Sequence, residues 1–91
     1  QLQTEDKTAS TVKVFPNPST GIFTINIQQE ERFNAGINIR NIMGQVIYTI
    51  PAKTYNGQLL QPINITGKPK GMYLVEIVMA GKRITEKIIL Q

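Results

Sequence analysis

The ninety-one residues include no cysteine, no histidine and no tryptophan. Without cysteine there is no disulfide, no thiolate nucleophile and no Cys-bearing zinc site. Without histidine the Ser-His-Asp and Cys-His pairs are excluded, together with the imidazole metal ligand. Aspartate is almost missing as well: Asp6 stands alone. A calcium site needs several converging oxygens, so neither a metal nor a cofactor is expected. Long apolar runs are lacking too, the longest being a few residues against the ~20 of a membrane-spanning helix. Residues 1–11 are polar and lack the basic-then-apolar layout of a signal peptide. Because the sequence does not begin with Met, we expect it to be a piece cut from a longer protein, so that any N-terminal export signal would lie outside it.

What is present suits one modest core. Hydrophobic residues make up 41% of the chain, and surface scaling allows a chain of this mass to bury about 64% of its unfolded surface. The formal net charge is +4, which raises the question of nucleic acid. The basic residues are spread along the whole chain, with loose pairs at Lys68/Lys70 and Lys82/Arg83. The aromatics Phe15, Phe23, Phe33, Tyr48, Tyr55 and Tyr73 are not interleaved with them as base-stacking platforms. The charge therefore reads as a solvated strand face, with no nucleic-acid partner.

Helix-period patterns are missing and period-two alternation runs throughout. Seven strands are expected, over residues 12–15, 23–28, 37–40, 45–50, 58–65, 72–79 and 82–90. Turn signals separate them: Pro16-Asn17-Pro18-Ser19-Thr20-Gly21, the polar break Glu30-Glu31-Arg32, Asn41-Ile42-Met43-Gly44, Pro51, Tyr55-Asn56-Gly57, the loop 66–71 and Ala80-Gly81. The turn before Gln45 needs Gly44 at positive φ, and Pro62 marks an edge strand. This spacing fits an all-β, seven-stranded antiparallel Ig-like β-sandwich. Residues 1–11 read as a flexible linker and 12–91 as the domain.

Few side chains offer chemistry. Glu30 and Glu31 are adjacent and cannot flank one bond. Glu76 and Glu86 lie on strands joined by one hairpin; if they face each other, pairing with Lys82, Arg83 or Lys87 is the expected outcome, not an acid/base dyad. No enzyme is expected. Tyr48, Tyr55 and Phe33 could contribute to a sugar platform, so an adhesive or carbohydrate-binding module stays open, although packing is the commoner use of such residues. Between its two prolines Asn17 is placed to bond locally in a rigid corner. In Gly71-x-Tyr73 a buried tyrosine is expected to reach a loop carbonyl.

The order of these motifs resembles a known family. Val12-x-Val14-Phe15-Pro16-Asn17-Pro18-x-x-Gly21-x-Phe23, then Asn41-Ile42-Met43-Gly44-Gln45, then Gly71-Met72-Tyr73-Leu74-Val75, then Lys87-Ile88-Ile89-Leu90 are similar to the C-terminal sorting domain, type A, of the type IX (Por) secretion system of Bacteroidetes. The resemblance implies a seven-stranded Ig-like domain at the end of an exported protein. It implies passage through the periplasm and across the outer membrane, with delivery to the cell surface or the medium. Its partners would be the translocon, shuttle and sortase proteins of the outer membrane, the sortase cutting in the linker before Val12. Carried onto this chain, the recognition surface would involve Gly71, Tyr73 and Lys87 with the last strand (Ile88, Ile89, Leu90), and the Pro16–Gly21 turn (Pro16, Asn17, Pro18, Gly21) would be a conformational element. A last strand with an open edge over 82–91 is the expected recognition element, and the same edge leaves self-association open.

Overall fold

Odd-numbered side chains Phe23, Ile25 and Ile27, then Phe33, Ala35, Ile37 and Ile39, are all buried. One parity thus holds through what the sequence divides into two strands, because a continuous strand points alternate side chains to one face. In the computed structural model, which describes residues 11–91, these positions belong to a single strand. Five strands result: β1 (Thr11–Phe15), β2 (Ile22–Arg40), β3 (Val46–Asn64), β4 (Gly71–Met79) and β5 (Lys82–Leu90). The linker expected over 1–11 lies outside the described residues apart from Thr11, which opens β1.

The count of seven is corrected to five because two supposed breaks are bulges. Between the pairs Gln28↔Gln58 and Arg32↔Asn56 the register jumps by four residues on β2 and two on β3. The polar residues Gln29, Glu30 and Glu31 are absorbed there, opposite Gly57, and both strands continue. Pro51, expected to end a strand, falls where the register passes from Ala35↔Lys53 to Ile37↔Ile50 and β3 gains one residue. A bulge on an edge strand tolerates a residue that cannot donate to the ladder. The 19-residue β2 and β3 thus form one long hairpin. Its turn holds Gly44 at φ 85°, as its sequence requires.

The five strands pair antiparallel within one sheet. β2 carries β3 along its length, with β1 against its first half and β4 against its second; β5 pairs β4. The expected two separate sheets are thus hydrogen-bonded as one. β3 pairs with β2 alone, so Pro62 does lie on an edge strand. Both halves of β2 contribute to one core cluster with Leu59, Ile63, Tyr73, Val75, Ile77, Ile88 and Leu90. The expected face of β4 is the buried one, and Ile88 and Leu90 of β5 join it while Ile89 points away half-buried.

Candidate recognition surface

Pro16, Asn17 and Pro18 lie between β1 and β2 with cis peptide bonds at Phe15–Pro16 and Asn17–Pro18. Asn17 does not bond locally as expected. Its Nδ2 donates to the carbonyl of Lys87 at 2.8 Å, and its Oδ1 accepts from the backbone N–H of Ile89 at 3.0 Å. Ser19 extends the contact: its N–H donates to Ile89 O at 2.8 Å, and its carbonyl accepts from Gln91 N at 2.8 Å, a parallel bridge beside Leu90. The Ser19 hydroxyl, itself buried, donates to Ile22 O at 2.9 Å and accepts from Gly21 N at 3.0 Å. Residues 17–19 are therefore a short latch along the outer side of β5.

This corrects the expected open edge. Over 87–91 the outward backbone of β5 is occupied by the latch. Regular pairing with β4 places Arg83 and Thr85 in the same outward row, beyond the reach of the latch. No local sequence pattern could have revealed the latch, since its partners are 70 and 72 residues away.

The latched end of β5 pairs with the start of β4, Leu90 opposite Gly71 and Ile88 opposite Tyr73. The buried Tyr73 donates its hydroxyl to the Pro69 carbonyl, as expected. The loop leading to β4 is tied down from the other side, because Ile65 N donates to Gly21 O at 2.8 Å and Lys68 N to Ile65 O at 3.1 Å. Gly21 permits this approach: its φ is +125°, and a Cβ there would lie 2.9 Å from the Cα of Thr66. Beyond Gly71 and Tyr73 opens a cleft of about 360 Å³, whose far wall is the turn bearing Asn41, Ile42 and Met43. Asn41 stiffens that turn, its Oδ1 accepting from Met43 N at 2.9 Å and Gln45 N at 3.0 Å. The residues singled out from sequence thus form one band: Pro16, Asn17, Pro18 and Gly21, then Lys87 to Leu90, then Gly71 and Tyr73, then the cleft flanked by the turn of Gly44.

A charge cluster centred on Glu76 joins β2, β4 and β5. Glu76 and Glu86 do not face each other, because Glu76 is opposite Thr85 and Glu86 opposite Val75. Glu76 is only 9% exposed. Its Oε1 accepts from Asn38 Nδ2 and Arg40 Nε, both at 3.3 Å, and Arg83 Nε lies 3.3 Å from Oε2. Arg83 was among the expected partners; Arg40 and Asn38, from β2, were not. Burial pushes the Glu76 carboxyl up, but the Asn38 hydrogen bond and the Arg40 and Arg83 charges outweigh it and hold it below its ordinary value. Arg40 also donates through Nη1 to Gly44 O at 2.8 Å, joining this cluster to the turn.

The aromatics proposed for a sugar platform are spent on packing. Phe33 is buried and its ring lies 5.6 Å from that of Tyr55, its cross-strand partner. Tyr48 lies opposite Ile39, half-buried against the core. Among the described residues no three His, Cys, Asp or Glu side chains are grouped to hold a metal.

The fold is that of a small antiparallel β domain, and comparison with known proteins gives its family. Residues 13–91 match the secretion system C-terminal sorting domain family, the Por secretion tail, and the chain belongs to that family. Such domains mark proteins exported across the outer membrane, so the chain belongs to a protein that is secreted or displayed on the cell surface. Among solved structures it is similar to dimeric latent PorU from Porphyromonas gingivalis, with a TM-score of 0.67 and 19% identity. That match covers 98% of this chain and 10% of the other, so the chain spans about a tenth of that protein. At this identity the likeness shows the fold. Comparison with curated proteins finds no match.

Proposed function

We propose that residues 12–91 act as the sorting signal itself: they are recognised as a folded shape by the type IX translocon and its shuttle, and a surface sortase then removes them by cutting within the linker 1–11. The family match over 13–91 carries this reading. It is supported by the convergence of the sequence-marked residues on one band. On this reading the domain performs no catalysis of its own, and the buried carboxylate of Glu76 is held by Asn38, Arg40 and Arg83. We further read the long β2–β3 hairpin as folding the sheet on itself into an Ig-like sandwich, which the single core fed by both halves supports. A sorting signal and an adhesive module differ in whether position matters. Placed last in a reporter that bears an inner-membrane export signal, residues 1–91 are expected to deliver it outside; placed before the reporter, they are expected not to. Delivery from both positions, or glycan-array binding lost on Tyr48→Ala, would overturn the reading.

A further inference from the structure

The turn opposite Gly71 carries two neighbouring large apolar side chains with no role in the core. Ile42 is 71% and Met43 75% exposed, although the turn itself is held firmly by Asn41. Met72, 39% exposed, faces them across the cleft. Contiguous exposed apolar side chains on an ordered surface mark interaction sites, and methionine adapts its shape to what it meets. The cleft's volume of about 360 Å³ falls in the range of pockets that enclose a ligand group, about 300–1,000 Å³. Among the described residues its charged lining is Lys68 and Lys70, with no carboxylate beside them in the lining. One wall also has spare backbone: β2 pairs β4 only from Arg40↔Leu74 onward, so Met72, whose N–H and C=O turn to that side while Gly71 and Tyr73 pair with β5, has no strand partner there among the described residues.

We propose that this cleft docks an extended, acidic peptide segment of a partner protein. One apolar side chain of the segment sits among Ile42, Met43 and Met72, and flanking carboxylates meet Lys68 and Lys70. The backbone of the segment runs beside Met72 and bonds its N–H and C=O, a short form of the strand-addition mode of peptide recognition. Two other occupants fit less well. A second copy in a symmetric pair would bring Lys68 and Lys70 against their own like. A lipid chain would leave the backbone groups of that wall unsatisfied. The inference goes beyond sorting and stands independently of it, since any acidic segment bearing an apolar side chain satisfies the same chemistry.

The test is an NMR titration of residues 1–91 with a blocked hexapeptide of alternating aspartate and phenylalanine. Controls are the same peptide with lysine for aspartate, and vesicles of phosphatidylglycerol. Shift changes confined to 41–47 and 68–73 are expected, with no binding of the lysine peptide. Lys68→Glu/Lys70→Glu and Ile42→Ser/Met43→Ser should each weaken binding by about tenfold, through the charge and apolar halves of the contact respectively. All four substitutions fall outside the buried core, and an unchanged amide spectrum elsewhere confirms that the fold persists. No shifts at millimolar peptide, shifts centred elsewhere, equal binding of the lysine peptide, or binding unaffected by either double variant would each overturn the proposal. So would vesicle binding through Ile42 and Met43 without peptide binding, which would assign the tip to a membrane.

Discussion

At the scale of single residues, Asn17 does the most for its size. One amide both donates to and accepts from β5, so two strands far apart in sequence are joined by a side chain that only asparagine or glutamine could imitate. Asn17→Ala is expected to cost about 1–3 kcal/mol in urea denaturation, at roughly 0.5–1.5 kcal/mol for each net hydrogen bond. Asn17→Asp keeps the acceptor for Ile89 N but turns a carboxylate on the Lys87 carbonyl, so it should cost at least as much. Gly21 and Gly44 form a graded pair. Both have positive φ, but only Gly21 would also press a Cβ against backbone, that of Thr66. Gly44→Ala should therefore cost on the order of 1 kcal/mol, and Gly21→Ala clearly more, read as a larger fall in the thermal midpoint. Glu76 sets a pH dependence. Its folded-state pKa is lowered from 4.5, so its contribution is present above that value and is lost as the pH falls through the lowered one. Urea midpoints between pH 6 and the acid limit should decline less steeply in Glu76→Gln than in the parent; identical slopes would remove Glu76 from the balance.

At the scale of strands, alternation was legible and interruption was not. The buried faces of 23–27, 37–39, 73–77 and 88–90 follow from period-two patterning alone. Glu30-Glu31-Arg32, Pro51 and Asn56-Gly57 were misread because the same residue chemistry serves a turn and a bulge. Only the partner strand decides which it is: extra residues that a neighbour can pass become a bulge. The latch was illegible for a related reason, since nothing near Asn17 in sequence names its partners. By contrast, the Tyr73 bond to Pro69 and the Gly44 turn lie within a few residues and were readable. The latch predicts an asymmetric edge. In native-state hydrogen exchange the Ile89 and Gln91 amides, bonded to Asn17 Oδ1 and Ser19 O, should be protected. The Thr85 amide, in the same outward row but beyond the latch, should exchange far faster. Asn17→Ala should selectively speed exchange at Ile89.

At the scale of the whole molecule, shape replaces chemistry. A chain without Cys or His uses its Pro, Asn, Gly and Tyr residues to fasten β1–β2, β4 and β5 at one end and to leave an apolar cleft beside them. The same integration limits deletion as a probe. Residues 88–91 supply the buried Ile88 and Leu90 and three of the four latch bonds, so removing them should unfold the domain, seen as loss of the cooperative thermal transition. Export lost on that deletion would report folding, whereas surface substitutions at Lys68, Lys70, Ile42 and Met43 leave the core intact.

The most direct measurement is the fraction of a signal-peptide-bearing reporter found outside the cell when residues 1–91 are fused to its end, in cells with and without a type IX translocon. Sorting by this domain requires external reporter only when both the domain and the translocon are present, with the reporter left in the periplasm otherwise. External reporter in equal amount without either one would contradict it.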